Sequence, residues 1–275
     1  MMANKITSNK DPWSDLKQYT SARIALGRAG GSLTTTEWLD FKLAHAKARD
    51  AVHCVFKSDV LEKELQNLGH KVLIVESQAT NRAEYLQRPD LGRCLDSNSI
   101  LQLKKEQQPS DVVFIISDGL SATAVHAHAT NFLSRLLPRL SSSWSIAPIV
   151  IARFGRVALE DQIGVLIGAK IAVILIGERP GLSSPDSLGA YFVYQPKTGN
   201  TDANRNCVSN IRPDGLDYEK ATDTLFYLLG QAKQRKLSGV NLKDNRQLLE
   251  YNSKLNADNL KPTKKYDSIN IQDQS

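Results

Sequence analysis

Continuous apolar runs recur along the middle of the chain, and five of them are rich in the β-branched and aromatic residues that strands favour. These five runs cover residues 71–75, 111–116, 146–151, 171–176 and 190–194. A run that is apolar at every position is typical of a parallel strand covered on both faces. Segments of helical length lie between or after the runs, at 122–140, 159–169 and 218–236. The alternation predicts an α/β fold: a Rossmann-like, doubly wound, mainly parallel sheet.

The N-terminal part of the chain follows a helical period instead. Hydroxyl residues at 34–36 precede a segment whose apolar residues, including Trp38 and Phe41, recur near helical spacing. This order is typical of a capped amphipathic helix. A second helical segment covers 60–68 and is closed by Gly69, a residue type that often ends helices. We therefore predict a helical region ahead of the sheet.

These patterns divide the chain into three parts. We predict a helical N-terminal region at 1–69, an α/β domain at 70–243 and a polar C-terminal tail at 244–275. The tail is rich in Asn, Lys, Asp and Gln and has few apolar residues that could anchor it. We expect a frayed or disordered extension there, because such a composition buries too little apolar surface to order the chain.

The composition excludes several classes of protein. The 275 residues are 41% hydrophobic, which is enough for a sizeable core and excludes a disordered chain. The longest apolar runs fall far short of the roughly 20 residues of a membrane-spanning helix, and the polar N-terminus does not resemble a signal peptide. The three cysteines are widely separated, and we expect reduced thiols in a soluble intracellular protein.

The charge balance does not favour nucleic acid as a partner. The 35 Lys and Arg residues outnumber the 29 Asp and Glu residues and give a net charge of +6. The basic residues are scattered, and the densest runs, at 135–139 and 233–236, lie in helix-like segments with apolar neighbours. We interpret these runs as solvated helix faces. A basic nucleic-acid-binding protein is therefore a hypothesis that rests on net charge alone.

Ligands of open α/β sheets bind just past the carboxyl ends of the strands, so the segments there are the first candidates for a site. Four polar or glycine-containing segments follow predicted strands, at 117–121, 153–157, 177–187 and 204–210. The first is either a cradle for a polar ligand or an ordinary helix cap. Glu178 and Arg179 are either ligand-binding groups, which we favour, or an exposed ion pair. A lone cysteine such as Cys207 is more often a small buried side chain than a nucleophile.

Signatures of common catalytic chemistry are missing from the sequence. No G-x-G-x-x-G follows a strand, no G-x-x-x-x-G-K-[ST] occurs, and the segment around Ser121 lacks the closing glycine of a nucleophile elbow. The histidines form no H-E-x-x-H, and His126 and His128 diverge on their helix, which argues against zinc. We therefore predict no catalytic residues and no metal ligands. The runner-up hypothesis, a stand-alone α/β enzyme or nucleotide-binding module, would need such a set.

Six unusual segments carry a resemblance to a known family. They read DPWSDLKQYTSARIALGRAGGSL (from Asp11), RPDLGRCL, ISDGLSATAV, RFGRVALEDQIGVLIGAK, VILIGERPGLSSPDSLGAYFVY and RNCVSNIRPDGL. In this order, from about residue 11 to about residue 243, they resemble the small subunit of ethanolamine ammonia-lyase. Several long motifs coincide, so the resemblance is highly specific.

The resemblance implies one chain of a two-chain lyase. A large subunit with a (β/α)₈ barrel would hold the substrate, and this chain would dock on it through 1–69, form a hetero-oligomer with it and help to bind adenosylcobalamin. The family reaction converts ethanolamine to acetaldehyde and ammonia by a radical mechanism, in which the cofactor carries the hard chemistry. This division of labour would explain the missing catalytic set.

The resemblance also implies particular contact residues. Carried over residue by residue, the cobalamin contacts of the family fall on Val157 in RFGRV, Glu178 in GERPG and Cys207 in RNCVSN. A carboxylate can accept hydrogen bonds from the amides that ring a corrin, and Val157 offers an apolar or backbone contact. The sequence lacks a D-x-H-x-x-G stretch that would supply a histidine to cobalt. The resemblance therefore implies that the cofactor binds base-on, with its own base kept on the metal.

Two parts of the chain depart from the family pattern. Family members destined for protein-shelled compartments carry a longer, helix-forming N-terminal extension, whereas barely ten residues precede DPWSDL here. We therefore expect a cytoplasmic protein, and the short N-terminus argues against the alternative location in a bacterial microcompartment. The tail after Lys243 has no counterpart in the family pattern, and we assign no function to it.

Overall fold

A six-stranded sheet forms the centre of the fold. The computed structural model describes residues 11–20 and 22–246 of the chain. Its strands are β1 (Val72–Glu76), β2 (Ser110–Ser117), β3 (Ile149–Arg153), β4 (Ala169–Gly177), β5 (Leu188–Tyr194) and β6 (Arg205–Ile211). They lie in the order β1-β3-β2-β4-β5-β6. The first four strands pair in parallel, β5 pairs antiparallel with β4, and β6 pairs antiparallel with β5. The predicted α/β class is confirmed.

The sheet is mixed, so the predicted Rossmann-like, doubly wound, mainly parallel arrangement is not confirmed. The connection from β4 to β5 covers only residues 178–187, whereas a return in parallel needs a crossover of a dozen or more residues. β5 therefore runs back beside β4, with Ile174 opposite Tyr191. The segment at 204–210, expected to be a polar loop, is for the most part strand β6. It is polar because it lies at the sheet edge, where one side faces solvent.

Helices pack on both faces of the sheet. Those of the described residues are α1 (Thr35–His53), α2 (Ser58–Asn67), α3 (Arg82–Gln87), α4 (Ser97–Lys105), α5 (Ala122–Leu140), α6 (Leu159–Ile167) and α7 (Tyr218–Arg235). Several begin at a side chain that accepts a hydrogen bond from a free backbone N–H. Thr34 accepts from Glu37 at the start of α1, as the sequence predicts. Asp96, Ser121 and Asp217 cap α4, α5 and α7 in the same way.

Each face of the sheet has its own apolar core, and alternate residues of β2 point to opposite faces. Val112, Phe114 and Ile116 join the core that contains residues of α2, α5 and α7. Val113 and Ile115 join the core that contains residues of α4 and α6. All five side chains are fully buried. Burial on both faces explains why the strands read as continuous apolar runs in the sequence.

Helix α1 contributes little to either core. Of its 19 residues, Ala51 is the buried one. Four large apolar side chains of α1 are exposed instead: Trp38, Leu39, Phe41 and Leu43. Helices in proteins are stabilised mainly by packing an apolar face against other elements. These four residues, called here the exposed apolar residues of α1, are therefore a candidate contact surface.

The chain divides into two units, Met1–Leu242 and Lys243–Ser275. Every helix and strand named above belongs to the first unit. The polar tail predicted at 244–275 lies outside the described residues from position 247 onwards. Among the helices that the structure describes, none combines the length and the apolar character that crossing a bilayer requires.

Candidate functional site

Two adjoining cavities lie beside strands β5 and β6 and the loops that follow β2, β3 and β4. The larger has a volume of about 670 Å³ and the smaller a volume of about 430 Å³. Arg156, Val157 and Tyr191 line both cavities. Cys207 lines the larger cavity, and Glu178 lines the smaller. The structure thus places Val157 and Glu178 just past the ends of β3 and β4, where sheets of this kind bind ligands, and places Cys207 on β6 in the adjoining cavity.

Val157 lies on a loop after β3 that the end of β2 holds in place. Within this loop, Phe154 has a left-handed φ of 54°. The Phe154 N–H donates to Asp118 Oδ1 at 2.8 Å, and the Gly155 N–H donates to Ser117 Oγ at 3.0 Å. A Cβ at Gly155 would lie 2.7 Å from Ser117 Oγ, so this close approach requires glycine. These contacts fix the half-buried Val157 between the two cavities.

Asp118 is a buried carboxylate beneath this loop. Arg82 Nη1 donates to Asp118 Oδ2 at 3.0 Å. Burial raises the pKa of Asp118 to about 6, although the neighbouring Arg82 guanidinium opposes the shift. In the segment at 117–121 the structure shows the helix cap, and the cradle for a polar ligand stays a prediction. Ser121 caps helix α5, and Gly119 lines the smaller cavity.

Glu178 follows β4 and lies against the start of β5. Its backbone N–H donates to the Ser187 carbonyl at 2.9 Å. Its carboxylate Oε2 accepts a hydrogen bond from Ser187 Oγ and another, at 3.2 Å, from the Asn210 N–H. The partners of this carboxylate are therefore a hydroxyl and a backbone amide, not the guanidinium of Arg179 that the sequence offered as an alternative.

Cys207 and Tyr191 are cross-strand partners on β6 and β5. Cys207 is exposed and lines the larger cavity, so the expectation of a small buried side chain is wrong. The surrounding protein still desolvates the thiol and, together with the nearby Glu178 carboxylate, raises the pKa of Cys207 to about 11, although the Tyr191 hydroxyl opposes the shift. The thiol is therefore protonated at neutral pH. Cys207 provides a weakly polar contact and is a poor nucleophile.

Tyr85 lines the smaller cavity but is not among the site residues predicted from the sequence, although its helix α3 begins shortly after the end of β1. The guanidinium groups of Arg156 and Arg82 lie 4.1 and 4.9 Å from the centre of its ring. Burial raises the pKa of Tyr85. Within the described residues, the Tyr85 hydroxyl and Arg156 Nε are buried without a hydrogen-bond partner. Such atoms are rare in folded proteins, and both residues line the smaller cavity.

A buried ion cluster joins helix α6 to strand β6 beside the larger cavity. Arg205 donates to Glu160 Oε1 at 2.6 Å and to Asp161 Oδ2 at 2.5 Å. Burial raises the pKa of Glu160 above its usual range, although Arg205 opposes the shift. Asp161 also accepts a hydrogen bond from Asn200 at 2.7 Å. The cluster fixes the start of β6, the strand that carries Cys207.

The two histidines of helix α5, His126 and His128, take part in packing contacts. His128 is buried, and its Nδ1 lies 2.7 Å from the Tyr218 hydroxyl. Its Nε2 lies 3.4 Å from Asp186 Oδ2. His126 accepts a hydrogen bond at 3.0 Å from the backbone N–H of Lys57. Across residues 11–20 and 22–246, no three His, Cys, Asp or Glu side chains are grouped so that they could hold a metal ion.

The fold and the cavities define an α/β chain with two adjoining cavities beside its mixed sheet. The sequence matches the family Ethanolamine ammonia-lyase light chain (EutC) over residues 10–243. It is 50% identical to the ethanolamine ammonia-lyase small subunit of Pseudomonas putida (strain W619), over 88% of this chain and 91% of that protein. It is 51% identical to the small subunit of Pseudomonas fluorescens (strain Pf-5), over 92% of this chain and 94% of that protein.

A third relative extends the agreement. The ethanolamine ammonia-lyase small subunit of Pseudomonas syringae pv. tomato (strain DC3000) is 50% identical over 90% of this chain and 88% of its own length. The chain therefore belongs to the ethanolamine ammonia-lyase light chain family. The resemblance seen in the sequence is confirmed, and the protein is part of a lyase enzyme.

Proposed function

We propose that this chain is the cobalamin-binding small subunit of an adenosylcobalamin-dependent ethanolamine ammonia-lyase. Adenosylcobalamin supplies, when bound, the radical chemistry by which the enzyme converts ethanolamine to acetaldehyde and ammonia. The task of this chain is to bind and orient the cofactor. One observation carries the proposal: Val157, Glu178 and Cys207, which the family resemblance marks as cofactor contacts, line two cavities that share a wall.

The groups that line the cavities suit a corrin. A corrin presents an apolar rim and amide side chains, which both donate and accept hydrogen bonds. Glu178 offers a carboxylate acceptor, and Val157 and the ring of Tyr191 offer apolar surface. Arg156 Nε, a buried donor without a partner in the described residues, would gain one from an amide carbonyl or the phosphate of the cofactor. Cys207 adds a neutral, weakly polar surface.

The same residues support base-on binding. The side chains that line the two cavities include cysteine, tyrosine, arginine and carboxylate groups but no histidine. Cys207 is protonated at neutral pH, and a protonated thiol is a poor metal ligand. We therefore propose that this chain binds cobalamin without replacing the cofactor's own base. The three cysteines are free thiols, in keeping with the reducing cytoplasm, where we place the complex.

We propose that the large subunit covers the exposed apolar residues of α1. The relatives of this chain are named small subunits, which implies a large-subunit partner. Two of the exposed residues, Trp38 and Phe41, are of the aromatic type that dominates interface energies. In this proposal, each of the two regions predicted from the sequence has its own function. The helical region at 1–69 docks on the large subunit, and the α/β domain at 70–243 binds the cofactor.

The docking proposal is tested with the double variant Trp38→Ala/Phe41→Ala. We expect the affinity of the folded chain for the large subunit to fall at least about tenfold, because aromatic anchors at interfaces often contribute about 2 kcal/mol each. Leu101→Ala is the matched control, since Leu101 is an exposed apolar residue on α4. Equal assembly of the double variant and the control in analytical ultracentrifugation would contradict the proposal.

The function itself is tested by acetaldehyde release from ethanolamine and adenosylcobalamin. The assay compares this chain alone, the large subunit alone and the two together, and we expect activity only in the mixture. Glu178→Ala should then raise the adenosylcobalamin concentration needed for half-maximal activity, because the variant removes a hydrogen-bond acceptor at the smaller cavity. A mixture that is folded and associated but inactive would overturn the assignment of this chain to the lyase.

A further inference from the structure

The pairing between strands β5 and β6 is irregular beside Glu178. Leu188 pairs with Ile211 and Ala190 pairs with Val208, and the register shifts between them. Two residues of β6, at 209 and 210, therefore stand opposite the single residue Gly189. This is a β-bulge, a feature that often re-aims a group next to a functional site. Within the bulge, Asn210 has a left-handed φ of 57°, which is uncommon for a residue other than glycine.

The bulge directs a backbone donor at one oxygen of Glu178. The Asn210 N–H donates to Glu178 Oε2 at 3.2 Å. Ser187, the residue before β5, donates its hydroxyl to the same oxygen. Both hydrogen bonds that the Glu178 side chain receives within the described residues thus end on Oε2. The other oxygen, Oε1, accepts no hydrogen bond from the described residues, and Glu178 lines the smaller cavity.

Gly189 supplies the space that this arrangement needs. A Cβ at Gly189 would lie 2.8 Å from Glu178 Oε1 and 2.9 Å from Cε2 of the Tyr191 ring. The φ of Gly189 is not positive, so the backbone there would accept an L-residue. Glycine is therefore required for room and not for backbone conformation. An added methyl group would displace the Glu178 carboxylate or the ring, two groups that line the cavities.

We propose that Ser187, Gly189 and the bulge at Asn210 are a positioning device for the Glu178 carboxylate. Ser187 and the Asn210 N–H hold Oε2, and the missing side chain at Gly189 leaves Oε1 free to point into the cavity. The device presents one carboxylate oxygen in a fixed direction to an N–H donor of the ligand. This inference deepens the proposed function and rests on it, because it takes Glu178 to be a cobalamin contact.

The contacts around Glu178 favour a role in positioning its carboxylate over a purely structural role. A regular β5–β6 ladder could join these strands without the bulge. Asn210 also belongs to the turn after β6, where its carbonyl accepts a hydrogen bond from the Leu216 N–H at 2.8 Å. Ser187 is buried, and its hydroxyl bonds to Glu178. Ser187 from the loop, Gly189 from β5 and Asn210 from β6 all lie against the same carboxylate. The carboxylate, in turn, lines the smaller cavity together with Val157.

The test is a double-mutant cycle on the affinity of the assembled two-subunit enzyme for adenosylcobalamin, measured by equilibrium dialysis without substrate. The single variants are Glu178→Ala, Ser187→Ala and Gly189→Ala, and the double variants combine each of the last two with Glu178→Ala. Gly230→Ala is the matched glycine control, because a Cβ there meets no atom within 4 Å. Thermal unfolding of each variant measures any loss of stability separately.

We expect Glu178→Ala to weaken binding about tenfold or more, as the loss of a hydrogen bond to a charged group does. Ser187→Ala and Gly189→Ala should each weaken it about three- to tenfold, and neither should weaken it further once Glu178 is absent. A merely structural role would give losses that add in the double variants, and that result overturns the positioning proposal. An unchanged affinity in Ser187→Ala and Gly189→Ala overturns it as well.

The cycle distinguishes this failure from failure of the proposed function. If Glu178→Ala binds adenosylcobalamin as the unmodified enzyme does, Glu178 is not a cofactor contact, and both proposals fail for this residue. If Glu178→Ala weakens binding while Gly189→Ala matches the Gly230→Ala control, the contact stands and the positioning device is refuted.

Discussion

Replacing Arg205 by methionine tests whether the buried ion cluster holds β6 in place. Arg205 bonds to two carboxylates, Glu160 and Asp161, whose side chains are only 0% and 8% exposed. Methionine matches the length of the arginine stem but provides no charge. The variant leaves two buried carboxylates side by side without a cation. Breaking a buried ion pair in this way typically costs about 3–5 kcal/mol of unfolding free energy.

The second variant of this experiment identifies the source of the loss. Asp161 keeps its hydrogen bond from Asn200 in Arg205→Met, whereas Glu160 loses the one side-chain partner described for it. Adding Glu160→Gln removes the stranded charge, so the double variant should recover about half of the loss, roughly 2 kcal/mol. Glu160→Gln alone should cost about 1 kcal/mol, because Arg205 keeps Asp161 as its partner.

Urea unfolding followed by circular dichroism measures these differences. The pH dependence provides an independent check. A carboxyl group whose folded-state pKa is raised stabilises the protein fully below its unfolded-state pKa and loses this contribution as the pH rises through the folded value. The pKa of Glu160 is raised by burial, and removal of Arg205 raises it further. Arg205→Met should therefore regain stability on acidification. A loss below about 1 kcal/mol, or no recovery in the double variant, would refute this reasoning.

Three further predictions concern single residues around the cavities. Gly119→Ala should destabilise the chain by about 3 kcal/mol or more in urea unfolding. Gly119 has a φ of 54°, and a Cβ there would lie 2.3 Å from the Gly177 carbonyl oxygen. A loss of unfolding free energy below about 1 kcal/mol would contradict this prediction. Iodoacetamide should modify Cys207 slowly at pH 7.5 and much faster as the pH approaches the thiol pKa of about 11, as followed by mass spectrometry; rapid labelling at pH 7.5 would show a thiolate. Burial raises the pKa of Asp118 to about 6, so its contribution to stability is complete below pH 3.8 and declines as the pH rises through 6. The unfolding free energy of the unmodified chain should therefore fall relative to that of Asp118→Asn between pH 4 and pH 7, and a constant difference would refute the assigned pKa.

The sequence predicts much of the sheet, since burial on both faces makes the inner strands continuously apolar. The apolar runs at 111–116 and 171–176 lie within the central strands β2 and β4. The edge strand β6 has no such signal, because two exposed or half-buried positions separate each buried residue from the next. The direction of β5 depends on the length of its connection to β4, which an apolar pattern does not encode. The mixed sheet therefore emerged only with the structure.

The site could be predicted in part. The rule that ligands bind at strand ends identifies the segments that carry Val157 and Glu178, because these segments follow recognisable strands. Tyr85 lies on α3, far along the chain from both, and reaches the cavity through tertiary packing alone. The convergence of Ser187 and Asn210 on Glu178 depends on a bulge in a strand that the sequence does not reveal. Long-range contacts of this kind leave no local pattern.

A structure of the two-subunit complex with bound adenosylcobalamin tests the central claim most directly. We predict that the corrin contacts the wall shared by the two cavities, next to Val157 and Cys207. Glu178 Oε1 should lie within hydrogen-bond distance of an amide nitrogen on the corrin, with Oε2 still bonded to Ser187 and Asn210. A cofactor held entirely by the large subunit, with neither cavity in contact with it, would contradict the account.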